Sequence, residues 1–121
     1  MYIGEISKKT GLSIKAIRLY EELNLIPKPK RSGSYRVYEP SYIEIFNLIK
    51  EAKELGVTLS QIRSFLFYNE GVLDWGKVND FMVEKKEELK GEIQKLHDKI
   101  HKIDDCLGQM ENTEKSLDST P

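Results

Sequence analysis

The segment Ile3–Tyr38, which reads IGEISKKTGLSIKAIRLYEELNLIPKPKRSGSYRVY, constrains the fold more than any other part of the chain. Its apolar spacing predicts a short first helix with Ile3 and Ile6 on one face. Gly11 then stands where a sharp turn needs an unhindered backbone. Ser13 is a good N-cap for a second helix, because its hydroxyl can accept an orphan backbone N–H. Helix, tight turn and helix in this order make a helix-turn-helix, a motif whose second helix suits the major groove of DNA.

Wheeled at 3.6 residues per turn, that second helix separates into two faces. Ala16, Ile17, Tyr20 and Leu23 gather on one side, and Lys15, Arg18, Leu19 and Glu22 on the other. Taken alone, this describes any amphipathic helix with solvated charges. The next segment changes the balance. Pro27-Lys28-Pro29-Lys30-Arg31 breaks the helix and concentrates positive charge. Ser32-Gly33-Ser34 reads as a hairpin turn and Tyr35-Arg36-Val37-Tyr38 as the returning strand. Alternation puts Arg36 and Tyr38 on one face, Tyr35 and Val37 on the other. Cations beside phenolic hydroxyls are suited to holding phosphates. A basic hairpin behind a helix-turn-helix is a wing, so DNA binding is favoured over a solvated loop. The candidate contact set is Ser13, Lys15, Arg18, Tyr20, Lys30, Arg31, Ser34, Tyr35, Arg36 and Tyr38. Within it, Lys15 and Arg18 are expected at base edges, and Arg31, Tyr35, Arg36 and Tyr38 at phosphates.

Charge is distributed to match. The net charge of the 121 residues is −1, yet residues 1–40 hold eight Lys or Arg against four Asp or Glu. Residues 41–121 hold eleven against sixteen, so a basic head joins an acidic body. With 39% hydrophobic residues the chain supports one modest domain plus an extended element. No apolar stretch is long enough to span a membrane, and no signal-peptide pattern opens the sequence. One cysteine excludes an intrachain disulfide framework, and a cytosolic protein, associated with the nucleoid, is expected.

After the wing, Pro40 and Ser41 open a third helix. Its apolar stripe is Tyr42, Ile45, Phe46, Ile49 and Ala52, and Gly56 ends it near Leu55. Thr58-Leu59-Ser60-Gln61 has the form of a capping box, and Leu59, Ile62, Phe65 and Leu66 carry a fourth helix. Lys53 and Arg63 are read as solvated positions, with phosphate contact as the sharper alternative. Asn69-Glu70-Gly71 is a break, and Asp74 a plausible cap for the last helix.

That last helix carries a seam. Leu89, Ile93, Leu96, Ile100, Ile103, Leu107 and Met110 recur at steps of four and three, which makes three heptads. Little chain remains to cover the stripe, so a second copy of itself is the simplest cover. Folding back onto its own domain is the alternative. Lys85, Glu92, Lys99 and Cys106 flank the core positions. In an antiparallel pair centred near Lys95 and Leu96, Glu92 meets Lys99 of the second copy twice by symmetry. Such exposed pairs select orientation more than they drive assembly.

The runs IGEISKKTGLSIKAIRLYEELNLI, SGSYRVYEP and KEAKELGVTLSQI together resemble the MerR family of bacterial transcription regulators. The resemblance covers roughly the first seventy residues, in three blocks that agree in order and spacing. Leu19 departs from the pattern, which places an aromatic residue beside the tyrosine. What the resemblance implies is a mainly α fold, with a winged helix-turn-helix followed by a long dimerisation helix in an antiparallel coiled coil. It also implies a homodimer on an inverted-repeat operator, working with RNA polymerase at a promoter whose spacer is too long, by distorting the DNA. The expected organisation is a DNA-binding domain at 1–70, a junction at 71–75, a coiled-coil helix at 76–110 and a polar flexible tail at 111–121.

The effector stays unassigned, and no cofactor is expected. Metal- and redox-sensing branches of the resembled family carry ligand cysteines in a loop past the coiled coil, often with one at its start. Here Glu111–Pro121 and Lys77–Asp80 have none, and Ala52 stands where a thiol-stress branch has cysteine. Cys106 beside the seam reads as a small buried hydrophobe. His97, His101 and Asp104 share a helical face that could present metal ligands, but charged helices produce such trios often. Phe65, Phe67, Tyr68 and Trp75 could line a small-molecule pocket, with core packing the favoured reading. No nucleophile–base pair or phosphate loop supports an enzyme. An architectural, excisionase-like DNA-binding protein without a sensor role is the alternative to a regulator, and the seam favours the regulator.

Overall fold

The computed structural model describes residues 1–118, with side chains as far as residue 114. In chain order its elements are α1 (Ile3–Thr10), α2 (Ile14–Glu22), β1 (Lys30–Ser32), β2 (Tyr35–Val37), α3 (Ser41–Glu54), α4 (Leu59–Phe65), β3 (Tyr68–Asn69), β4 (Val72–Leu73) and α5 (Trp75–Asp118). They divide into two compact units, Met1–Asn79 and a second beginning at Asp80.

In the first unit, local chemistry decides where each helix stops. Gly11 ends α1 at φ +75°, and its N–H donates to the Ser7 carbonyl. Ser13 caps α2, its Oγ accepting from the Ala16 N–H at 3.0 Å. At the other end of α2, Asn24 takes φ +57° while the Leu25 N–H reaches back to the Tyr20 carbonyl. That is a Schellman closure with Asn in place of the commoner Gly. Gly56 closes α3 in the same way, with Val57 N–H donating to Ala52 O and Gly56 N–H to Lys53 O. Thr58 and Gln61 form the reciprocal capping box at 3.2 and 3.0 Å.

The buried faces of these helices meet in one core. Ile6, Ile17, Leu25, Phe46, Ile49 and Ile62 are withdrawn from solvent almost completely. Each contributes about 1.5–3 kcal/mol by leaving water. Tyr38, Tyr42 and Phe46 add an aromatic cluster with Tyr38–Tyr42 centroids 5.3 Å apart, edge to face. The α3 stripe read from the sequence is buried in full, Tyr42, Ile45, Phe46, Ile49 and Ala52 alike.

The break expected at Asn69–Gly71 is a second hairpin. β3 and β4 pair antiparallel, Tyr68 opposite Leu73 and Asn69 opposite Val72. Glu70 and Gly71 both take positive φ, +50° and +80°, as a two-residue primed turn requires. Tyr68 donates through its hydroxyl to the Leu25 carbonyl at 2.6 Å, which ties this hairpin to the end of α2. Asp74 caps α5, its Oδ1 accepting from the Gly76 N–H at 3.0 Å. The helix therefore starts at Trp75, inside the segment read as junction.

In the second unit α5 runs on without a break. It continues past Met110 through Asp118, where a flexible tail was expected from residue 111. Residues 111–118 contain neither Gly nor Pro, so nothing in that stretch stops a helix already propagating. Residues 119–121 of that expected tail lie outside the described ones. The seam residues are 36–67% exposed in the single chain. Cys106, read as buried beside them, is exposed here as well.

Candidate nucleic-acid interface

The wing is a two-stranded antiparallel ribbon with Lys30 opposite Val37, Arg31 opposite Arg36 and Ser32 opposite Tyr35. Its turn is Gly33–Ser34, with Gly33 at φ +63°, so Ser32 belongs to the strand and not to the turn. Lys30, Arg31, Ser34 and Tyr35 are all exposed on it. On α2, Ser13, Lys15, Arg18 and Leu19 are exposed and line one shallow surface depression with Ala16 and Glu22. The outward face of α2 therefore exposes Lys15 and Arg18, and strand β1 of the wing exposes Lys30 and Arg31.

Three members of the candidate set sit elsewhere. Tyr20 is 2% exposed, packed in the core with the Lys53 ammonium 6.0 Å from its ring centre. Tyr38 is 1% exposed, and its hydroxyl is buried without a hydrogen-bond partner among the described residues. Burial, then the nearby Glu21 carboxylate, raise the Tyr38 pKa above the ordinary tyrosine value. A buried ring cannot reach a phosphate, so both tyrosines are core residues in this structure. Tyr38 also pairs through its backbone with Met1, its N–H donating to the Met1 carbonyl at 2.7 Å. Arg36 is the third. Its Nε lies 2.6 Å from Oε2 of Glu21, so this cation faces a carboxylate of α2 and not open solvent.

Two residues absent from the candidate set belong beside it. Tyr2 packs edge-on against Tyr35 with centroids 6.0 Å apart, an exposed aromatic pair at the wing. Glu21 is the partner of Arg36. A tyrosine one residue before a helix gives no local hint of such a pairing, and a carboxylate fifteen positions from its partner gives none either. Arg63 donates through Nη2 to the Leu23 carbonyl, which fixes it at the end of α2. It is a tether there, while Lys53 covers Tyr20.

The aromatic pocket read near the junction does not assemble. Phe65 is buried in the core, Tyr68 is bonded to Leu25, and Phe67 lies under the Lys77 ammonium at 4.6 Å. Only Trp75 of the four lines a cleft of about 400 Å³, with Lys30, Val37, Tyr42, Glu44 and Val72 among its other walls. Among the described residues, no three His, Cys, Asp or Glu side chains converge as a metal site. His97, His101 and Asp104 stay spread along an exposed helix. No helix among the described residues is long and apolar enough to cross a membrane.

Comparison with known proteins agrees with this geometry. Residues 1–67 match the model of the MerR HTH family regulatory protein, and residues 43–106 match MerR, DNA binding. The HTH-type transcriptional regulator CueR of Yersinia pestis is 43% identical over 72 residues, 57% of this chain. That match covers 52% of the regulator, so the chain spans about half the length of this curated relative. The mercuric resistance operon regulatory protein of Bacillus cereus is 36% identical over 100 residues, covering 78% of this chain and 73% of that one. Among solved structures, the transcription regulator PbrR691 from Ralstonia metallidurans CH34, in complex with lead(II), superposes with a TM-score of 0.59. The two are 26% identical, over 87% of this chain and 83% of that one. These relatives are regulators and not enzymes. With two family models that each cover more than half its residues and a relative matched along most of its length, the chain belongs to the MerR family of DNA-binding transcription regulators.

Proposed function

We propose that the chain acts as a homodimer that binds an inverted-repeat operator inside a promoter spacer and controls transcription by distorting that DNA. The observation that carries this reading is the pairing of two exposed surfaces. One is cationic: Lys15 and Arg18 on the outward face of α2, with Lys30 and Arg31 on the wing. The other is apolar: Leu89, Ile93, Leu96, Ile100, Ile103 and Leu107 along α5, exposed in the single chain. An apolar heptad seam is covered most simply by a second copy of itself. Two copies carry two reading helices, which suits a palindromic site.

In this reading Lys15 and Arg18 reach base edges, while Lys30, Arg31, Ser34 and Tyr35 hold phosphates on either side. RNA polymerase is the further partner, held at a promoter whose elements are too far apart until the DNA is untwisted. Bending a site by tens of degrees costs about 1–6 kcal/mol, which contacts on both half-sites together must offset. The effector in this reading is a ligand or stress signal.

The test is a transcription assay on the protein's own promoter. Deleting one or two base pairs from the spacer is expected to make transcription independent of the protein. A shortened promoter that still requires it would sink the distortion mechanism while leaving operator binding intact. A purely architectural role predicts instead that the protein binds without altering initiation at any spacer length.

A further inference from the structure

The Glu21–Arg36 pair joins the two elements that carry the DNA-facing cations. Glu21 lies in the last turn of α2, and Arg36 at the middle of β2. Their side chains approach to 2.6 Å and are only 12% and 29% exposed. Neither atom has an aligned hydrogen-bond partner among the described residues, so the contact is an ion pair of close charges and not a directional bond. The Tyr38 hydroxyl, two residues further on, is buried and also has no hydrogen-bond partner among the described residues.

Such a pair is a poor source of stability. Withdrawing two charges from water offsets most of their attraction, whereas removing one partner strands the other. What it supplies is geometry. Arg36 also stands opposite Arg31 in the ribbon, and like charges directly across a strand pair repel. Glu21 neutralises the inner arginine and leaves the outer one, Arg31, exposed.

We propose that Glu21 and Arg36 are positioning residues that hold the wing at a fixed angle to the reading helix, and that Arg36 serves DNA binding through Glu21 and not by touching phosphate. The inference rests on the DNA-binding reading above. It has an unusual sign. Electrostatics alone says that removing the Glu21 carboxylate makes the surface more positive and tightens DNA binding. A positioning role says that it loosens specific binding.

The experiment uses the full chain and a duplex selected by the wild-type protein from a random pool, with an unrelated duplex as the non-specific probe. Glu21→Gln and Arg36→Ala are each expected to weaken binding to the selected duplex by about tenfold. The double variant should be no weaker than the worse single one, because both break the same link. The slope of log affinity against log salt should remain that of wild type in all three. A phosphate contact by Arg36 would instead lower that slope by about 0.9 in the Arg36→Ala protein. Should a single variant fail to fold by circular dichroism, the pair Glu21→Met and Arg36→Met leaves no stranded charge, and it should show the same loss with the same slope.

Tighter or unchanged binding by Glu21→Gln, or a reduced slope for Arg36→Ala, overturns the proposal and leaves the DNA-binding reading standing. A wild-type protein that selects no duplex overturns that reading, and the positioning role with it.

Discussion

From the third helix, Lys50 donates through its ammonium to the carbonyl of Thr10 at 3.1 Å. The acceptor is the last residue of α1, so the turn of the helix-turn-helix is held from forty residues away. Gly11 follows at φ +75°, and a Cβ added there would lie 3.0 Å from that same ammonium. Gly11→Ala is therefore expected to destabilise the domain by about 1–2 kcal/mol, almost all of it from the left-handed backbone, since the lysine end can move. Lys50→Met should cost about 1–2 kcal/mol through the lost charged hydrogen bond. Urea unfolding of the two variants measures both, and Gly11→Asn should recover part of the first loss because Asn tolerates that conformation.

Arg18 and Arg31 should fail differently when truncated. Arg18→Ala is expected to relax discrimination at one base pair by about 1–3 kcal/mol, with little change in binding to unrelated DNA. Arg31→Ala should weaken binding to every sequence and lower the salt slope by about 0.9. A binding titration against single-base variants of the operator, repeated at several salt concentrations, separates the two. Loss of sequence preference in Arg31→Ala with an intact slope would reverse the assignment.

Leu96 and Ile100 occupy the middle of the exposed seam, 58% and 56% accessible in the single chain. Replacing either with Asp places a charge where a dimer would exclude water. Analytical ultracentrifugation is expected to find the variants monomeric and the wild type dimeric at micromolar concentration, with operator binding lost alongside. Because both side chains are more than half exposed in the single chain, the substitution empties no core, and the melting of the first unit should stay close to that of wild type.

Burial raises the pKa of Tyr38, Tyr42 and Tyr68 above the ordinary value of 10.0, most strongly for Tyr68. The sign follows directly. Below pH 10 these hydroxyls are protonated in both states, so their contribution is fully present; above it the unfolded chain loses its protons first and stability falls. The decline is at most about 1.4 kcal/mol per pH unit for each tyrosine. Tyr68→Phe should lose about 1 kcal/mol at pH 7, where the bond to Leu25 is missing. It should also show a shallower alkaline decline than wild type.

Residues that act on their immediate neighbours were the legible ones. Ser13, the Thr58–Gln61 box and Gly11 each satisfy backbone groups within a few positions, and the α3 stripe follows a single period, so sequence spacing carries the information. Tyr38 shows where it stops. Tyrosine is apolar enough for a core and polar enough for a phosphate. Helical spacing already set Tyr20 beside Ala16 and Ile17, on the face that is buried, whereas strand alternation set Tyr38 beside Arg36 and gave no sign of its burial. The Glu21–Arg36 pair depends on two elements meeting, which no local pattern encodes. The second hairpin escaped because its strands are two residues long and its turn places Glu70, not the usual Asn or Asp, at positive φ.

The unbroken course of α5 also limits how this chain can vary. Each residue of a helix turns the next by about 100°. One residue inserted between Ile93 and Ile100 would swing Ile100, Ile103 and Leu107 off the line of Leu89 and Ile93, although every side chain survived. Seven residues inserted at the same place would restore that line almost completely, and eleven nearly so. Length along this segment is thus a quantised trait. Small insertions should be purged from its descendants while whole heptads pass, and the natural variation of the segment ought to be counted in turns and not in residues.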